Sequence, residues 1–495
     1  MLTYTLEKGR GKSLYAALYE HIRKDIFTGA LAAGTRLPSK RALAANLGVS
    51  VVTVENAYAQ LIAEGYAEAR ERSGVYVCQI GMPLPPQDAA PPVASEEQPK
   101  ESLLDLSSGG GEDVPFPFSV WAKTMRGVIS ELGKDILKPV DFRGAWELRQ
   151  AIAAHLYQSR GLRVSPEQIV VGAGNEYLYG LLVQLLGRGR CYAVEDPGYP
   201  KITGIYTAND VTVAHIPLDE EGMSVQALRE SGAEIAHISP AHHFPTGIVM
   251  PVRRRNALLT WAYAQPERYI LEDDYDSELR HTGKPVPPLF SLDTRERVLY
   301  LSTFSQTIAP SLRIAYVCLP PHLLTRLRER LSFYTCAVPT FEQYTLARFI
   351  DSGDYERHLN RLRKRYRDKR ALILSQIEES PLHGRCSVVE ENAGTHFLLH
   401  LQTSQSDAAL KLAAAERGLS VRFLSDYQTR REDTGSMIFN YACLDTSRVP
   451  EALQTLAALT EQTHADSTSS WICLSRMTPT GTRIIPRTPN KRKPA

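Results

Sequence analysis

Leu14, Ala17, Leu18, His21, Ile22 and Ile26 recur at helical spacing, and Gly29 follows where a helix C-cap belongs. Residues 34–41 break that pattern with Gly34 and Pro38 and supply Ser39 as the N-cap of a second helix carrying Leu43, Ala44 and Leu47. Gly48 ends the second helix, Ser50 caps a third, and the third is expected to bury Val54, Tyr58, Leu61 and Ile62. Two short helices joined through Leu47-Gly48-Val49-Ser50 make a helix-turn-helix. The stretch 66–77 then reads as two short strands around a basic turn, a wing.

Residues 81–101 hold six prolines among Ala, Ser, Glu and Gln, a stiff composition that cannot build a core. Beyond 104, apolar runs at 169–172, 191–195, 235–239, 269–272 and 298–302 alternate with helical stretches. That rhythm predicts an α/β domain, a mostly parallel sheet covered by helices on both faces. A long basic helix is expected over 355–378, and the chain to about 459 alternates strand and helix as a smaller C-terminal lobe would. The expected organisation is a multidomain chain: an α+β winged helix-turn-helix over 1–79, a linker over 80–104, the α/β domain and its lobe over 105–463, and a basic tail over 464–495 with no periodicity, for which disorder is the expectation.

Composition narrows the class. The chain of 495 residues exceeds one ordinary core, and at 43% hydrophobic and 23% charged it is that of a soluble protein with no apolar run able to span a bilayer. The first residues lack the charged-then-apolar pattern of a secretion signal, so a cytoplasmic location is expected. Seven cysteines are scattered without a Cys-x-x-Cys pair, which points to neither a disulfide framework nor a metal site. Ten Lys/Arg against seven Asp/Glu over 1–79, and six against one over 466–495, leave the middle slightly acidic and both ends basic.

The segments Arg36-Leu37-Pro38-Ser39-Lys40-Arg41, Leu47-Gly48-Val49-Ser50, Thr53-Val54, Ala57-Tyr58, Glu64-Gly65-Tyr66 and Ser73-Gly74-Val75 resemble the winged helix-turn-helix of the GntR regulator superfamily. The resemblance implies a double-stranded DNA partner, with the third helix in the major groove and the second crossing the backbone. Arg36, Ser39 and Lys40 are then expected on phosphates and Val51, Val52, Thr53 and Asn56 at the groove, with Ser50, Tyr58 and the wing residues Arg70 and Arg72 as further DNA contacts. The family most often has an arginine where Val51 stands; its loss removes a bidentate guanine contact worth roughly 1–3 kcal/mol of discrimination.

Over about 105–460 a second set of motifs carries chemistry. Gly172-Ala173-Gly174-Asn175-Glu176 follows a strand and opens a helix, which offers backbone N–H groups to a phosphate. Glu195-Asp196-Pro197-Gly198-Tyr199-Pro200 places an aromatic ring after a strand, and Glu272-Asp273-Asp274-Tyr275 places carboxylates and a phenol after another. Ser239-Pro240-Ala241-His242-His243-Phe244-Pro245-Thr246-Gly247 is a third loop, whose paired histidines taken alone are ordinary loop residues. Thr303, Ser305 and Arg313 supply phosphate donors downstream.

Together these motifs resemble the fold-type I aminotransferases, and combined with the N-terminal module they resemble the MocR family of regulators. The resemblance implies pyridoxal 5'-phosphate as cofactor, with Ala173, Gly174, Asn175, Thr303, Ser305 and Arg313 at its phosphate, Tyr199 stacked on its ring, Asp273 (or Asp274) at the pyridine nitrogen and Tyr275 at the ring oxygen. Three departures stand out: Phe244 where these enzymes place an asparagine, Ile438 at the position of the substrate-carboxylate arginine with Arg430 or Arg431 as substitutes, and Gln306 at the position of the Schiff-base lysine. An amide nitrogen has its lone pair delocalised into the carbonyl and cannot condense with an aldehyde or carry a proton between carbons. The expectation is a head-to-tail homodimeric, DNA-binding regulator with no catalytic residue and no metal, binding the cofactor or its amino-acid adduct noncovalently. Two rivals stay open: an aminotransferase that recruits Lys201 or Lys284, and a DNA-binding dimer blind to any ligand.

Overall fold

The computed structural model describes residues 2–4, 6, 13–71, 73–80, 104–107, 115–280, 287–389, 394–442 and 444–461. Arg72 of the wing, Lys284, nearly all of the linker and the whole basic tail lie outside the described residues. The chain divides into two compact units, Met1–Lys100 and Glu101–Ala495.

In the first unit, helices α1 (Leu14–Phe27), α2 (Lys40–Leu47) and α3 (Val51–Ala63) precede an antiparallel hairpin of β1 (Ala67–Arg70) and β2 (Gly74–Val77). Local chemistry sets each boundary. Ser39 Oγ accepts from Ala42 N at 3.2 Å and Ser50 Oγ accepts from Thr53 N at 3.1 Å, so each hydroxyl satisfies one of the orphan donors of a helix start. Between them Gly48 takes φ 65, left-handed backbone that a Cβ would strain, and so turns the chain from α2 into α3. The core is built from Leu18, Ile22, Leu43, Val54, Ala57, Tyr58 and Leu61. The buried stripe of α3 is 54, 57, 58 and 61, an i, i+3, i+4, i+7 pattern; Ile62, expected inside, sits past its edge and is exposed.

The second unit opens with β3 (Leu104–Asp105) and centres on eight strands: β4 (Ile169–Gly172), β5 (Cys191–Asp196), β6 (Thr212–Asp219), β7 (Gly222–Met223), β8 (Ile235–Ile238), β9 (Tyr269–Asp273), β10 (Val298–Thr303) and β11 (Ala315–Cys318). Their spatial order is β4-β11-β10-β9-β8-β5-β6-β7. Pairing is parallel from β10 through β9, β8 and β5 to β6, whereas β11 runs antiparallel to both its neighbours and β7 to β6. Both faces are covered: along β9, Ile270 packs with Leu258 and Trp261 while Leu271 packs with Leu178 and Leu182. Alternation of this kind on an all-buried strand is why the run reads as continuously apolar.

A smaller lobe carries the antiparallel sheet β12 (Cys386–Val389), β13 (His396–Leu401) and β15 (Ser436–Asn440), while β14 (Leu419–Ser420) pairs in parallel with β3. Two residues separate β4 from α6 (Asn175–Leu186), and the basic α12 spans Asp354–Glu378. No helix is long and apolar enough to cross a membrane among the described residues. The carboxyl ends of β5, β9 and β10 fall at Asp196, Asp273 and Thr303, and in an open parallel sheet that edge is where ligands bind.

Candidate functional sites

The first site is the outer face of the winged helix. Because Val54, Ala57, Tyr58 and Leu61 turn inward, α3 presents Val51, Val52 and Asn56 to solvent, Val52 at 62% exposure, with Thr53 half-buried against Ser50 Oγ (2.8 Å). Arg36 and Ser39 are exposed beside it. Lys40 is paired with Glu55 at 2.6 Å, and Arg70 with Glu68 at 2.6 Å while lying 4.5 Å over the Tyr76 ring. Exposed pairs of this kind are weak and exchange readily for a phosphate. Tyr58 is buried, as its spacing predicts, and this corrects its expected role as a DNA contact: it is 1% exposed and its hydroxyl donates to the Pro38 carbonyl at 2.9 Å, so it joins α3 to the preceding turn and has no surface to offer DNA.

The second site is a cavity of ≈ 570 Å³ at the carboxyl edge of the large sheet, lined by residues of each motif that the sequence assigns to the cofactor. Asp273, last residue of β9, is buried in its wall. One carboxylate oxygen accepts from Asn175 Nδ2 at 3.1 Å; the other accepts from the Tyr179 hydroxyl and lies 3.5 Å from His237 Nε2. Burial, and then Asp273 itself, push Tyr179 well above its ordinary value, so it stays a donor to that carboxylate. Asp274 alternates to the other side of the chain. It meets Arg160 Nη2 at 2.6 Å and the Tyr300 hydroxyl at 2.7 Å, and this buried pair excludes it from the cavity role left open between the two aspartates.

At one end, α6 begins at Gly174, whose φ is 91 and where an added Cβ would lie 2.8 Å from the Arg313 guanidinium. No side chain caps this helix, leaving its first-turn N–H groups for another acceptor. Thr303 Oγ1 donates to Ser305 Oγ at 3.1 Å, and Arg313 Nη2 reaches the Ala173 carbonyl at 3.4 Å and Glu176 at 2.9 Å. Tyr199, 39% exposed, stands edge-on to Phe244 at 5.8 Å and 89°, with Lys201 Nζ 6.0 Å over its ring. Tyr275 lies in the wall, its hydroxyl 3.4 Å from His242 Nδ1, and Gln306 lines the cavity as well.

The two loop histidines are buried and engaged. His242 Nδ1 pairs with Asp276 at 2.7 Å, and His243 Nδ1 with Thr246 Oγ1 at 2.7 Å. Burial holds His243 down to about 3. Its Nε2 lies 3.4 Å from Glu195, which burial pushes up to about 8 against the pull of the Ser239 N–H, with Asp273 adding to the rise. Among the described residues, no cluster of His, Cys, Asp and Glu could hold a metal ion.

Four contributors escaped the sequence reading: Tyr179 and His237 on Asp273, and Tyr427 and Asn440 from the smaller lobe. Tyr179 had a signal, since it lies one helical turn after Asn175 and shares its face. His237, Tyr427 and Asn440 had none, because they join the wall only through the sheet order and the docking of the lobe. That docking is specific: Thr429 N donates to Asp196 Oδ1 at 3.0 Å and Gly198 N to the Tyr427 carbonyl at 3.0 Å.

Residues 14–77 match the family of bacterial regulatory proteins, gntR family, and residues 103–456 match aminotransferase class I and II. An uncharacterized HTH-type transcriptional regulator of Bacillus subtilis, YdeL, is 36% identical over 447 residues, covering 90% of this chain and 96% of that protein. The HTH-type pyridoxine biosynthesis transcriptional regulator PdxR of Corynebacterium glutamicum is 32% identical over 436 residues, covering 88% and 93%. Among solved structures, a multiple substrate aminotransferase from Thermococcus profundus superposes with a TM-score of 0.65 at 25% identity over 73% of this chain and 92% of that one.

Fold and cavity therefore define a class, an aminotransferase-type α/β domain fused behind a DNA-binding winged helix. The chain belongs to the HTH-type transcriptional regulators of that architecture, the MocR type.

Proposed function

We propose that this regulator binds pyridoxal phosphate, or its adduct with an amino acid, without a covalent bond to the protein, as a cytoplasmic homodimer whose ligand state sets how two winged helices meet duplex DNA. The observation that carries the reading is Asp273, a buried carboxylate fixed by Asn175, Tyr179 and His237 and facing a cavity whose wall includes Gln306. When bound, pyridoxal phosphate supplies an electron-withdrawing ring and an aldehyde reactive toward amines.

The wall fits such a molecule. Asn175 Oδ1 is buried without a donor, Gly174 lacks the Cβ that would displace the Arg313 guanidinium, and Thr303, Ser305 and Arg313 converge with the start of α6 at the phosphate end. Asp273 would hold a proton on the pyridine nitrogen, Tyr199 would stack on the ring and Tyr275 would bond its oxygen. Gln306, in this reading, occupies the anchoring position and contributes an amide where relatives with enzymatic turnover need an amine. Among the described residues no lysine lines the cavity, and Lys201 is held by Glu176 at 3.0 Å. Phe244 replaces a polar partner of the ring oxygen with an aromatic edge, which further favours holding over turnover.

Two-fold symmetry in a dimer matches paired DNA half-sites, and the ligand acts by binding one dimer geometry better than another. Calorimetric titration of pyridoxal phosphate into the full chain tests the reading. Saturable binding that weakens at least a hundredfold in Asp273→Ala is the expected result; no heat with wild type, or equal affinity in the variant, rejects it.

A further inference from the structure

Resting on the DNA-binding role proposed above, we infer that Val51 and Val52 read thymine C5-methyl groups and Asn56 reads adenine, so that α3 selects A·T pairs where a helix bearing arginine would select guanine. Between Val51 and Ala63 α3 holds neither lysine nor arginine. Those are the side chains that pick out guanine through paired bonds to O6 and N7, so this helix has no means of doing so.

What α3 does present is apolar. Val51 and Val52 open the helix at 42% and 62% exposure and take no part in the core, which uses Val54, Ala57, Tyr58 and Leu61. β-Branched side chains are weak helix formers, so local propensity does not call for two of them at this start. The hydroxyls beside them are engaged with each other: Ser50 Oγ accepts from Thr53 N at 3.1 Å and meets Thr53 Oγ1 at 2.8 Å. Glu55 turns toward α2, where Lys40 meets it at 2.6 Å. Asn56 is exposed one turn after Val52 and shares its face.

A helix that enters the major groove by its N-terminal residues sets these side chains on base edges. The thymine methyl is the one apolar group on those edges, whereas guanine offers two acceptors and cytosine an amino donor. A valine set against guanine or cytosine strips water from those groups and returns no hydrogen bond; against thymine it buries carbon on carbon. An asparagine amide supplies the donor and acceptor that adenine N7 and N6 require. The two valines and Asn56 therefore favour the same base pair, one from each strand.

The test starts from a library of duplexes with randomised sequence, selected on the full chain with and without pyridoxal phosphate. Each thymine of the enriched duplex is then replaced singly by uracil, which removes the methyl and keeps every hydrogen-bonding group. Uracil at one or more positions should weaken wild-type binding roughly three- to fivefold per methyl, the size expected of one buried carbon. The same replacements should make no difference to the double variant Val51→Ala, Val52→Ala, and Asn56→Ala should lose a preference for adenine in the same half-site. Alanine is the better helix former and both valines are exposed, so the double variant should keep the wild-type melting temperature. A uracil scan without effect on wild type, an equal penalty in the double variant, an adenine preference unchanged in Asn56→Ala, or a selection that returns no sequence preference while duplex is still bound overturns the inference alone. Wild type that binds no duplex of any sequence overturns the DNA-binding role and the inference with it.

Discussion

The winged helix and the aminotransferase-like domain treat polar groups in opposite ways. In the first, Arg36, Ser39, Asn56 and Arg70 stand on the surface, and the charged groups that pair, Arg70 with Glu68 and Lys40 with Glu55, do so with exposed carboxylates. In the second, Asp273, Asp274, Asp276, Glu195 and Glu272 are all buried and each has a hydrogen-bond or ion-pair partner, the Leu289 and Phe290 N–H groups in the case of Glu272. Surface charge costs little to build and acts through phosphates at a strength that salt dilutes. Buried charge must be satisfied on every side, and it acts through fixed geometry. One region is therefore a surface for a polyanion, and the other is a preformed receptacle for a small polar molecule.

The largest expected effect lies in the receptacle. Asp274→Ala leaves Arg160, whose side chain is 2% exposed, without its buried counter-charge, and should destabilise the aminotransferase-like domain by roughly 3–5 kcal/mol in urea unfolding. Removing an exposed charge of the winged helix should do nothing comparable. Arg36→Ala should leave unfolding and pyridoxal phosphate affinity alone but reduce the salt dependence of DNA binding by about one unit of slope. Lys40→Ala should reduce it by less, because Glu55 already neutralises part of that charge.

The last effect concerns protons. Burial places Glu195 up to about 8, above the usual carboxylate range near 4.3, so the folded protein keeps a proton that the unfolded chain releases. The stabilising contribution is complete below about pH 4.3 and is lost as pH rises through about 8. Glu195→Gln retains an acceptor for Ser239 N without titrating. Unfolding free energies at pH 5 and pH 8 should therefore fall less in the variant than in wild type; parallel curves would refute the assignment.

What the sequence disclosed follows from how local each feature is. Ser39, Gly48 and Ser50 announce the helix-turn-helix because caps and left-handed turns act within four residues, and the strands ending at Gly172, Asp273 and Thr303 announce themselves by apolar runs. Spacing placed Tyr58 in the buried stripe while the resemblance offered it to DNA, and its hydroxyl, committed to Pro38, decides for the first. The choice of Asp273 over Asp274 needed the direction of each side chain at the end of β9. His237 reaches Asp273 only because β8 pairs with β9, and Arg431 reaches the wall only because the smaller lobe docks on the Asp196 turn. Antiparallel β11, inserted between β4 and β10, likewise belongs to sheet order, which apolar periodicity does not encode.

The central claim is a ligand held without a covalent tether, and borohydride reduction of the pyridoxal phosphate-loaded protein followed by intact-mass measurement tests it most directly. The account predicts binding that dialyses away and an unmodified mass after reduction. A stable pyridoxyl adduct mapped to any lysine of the chain would contradict it.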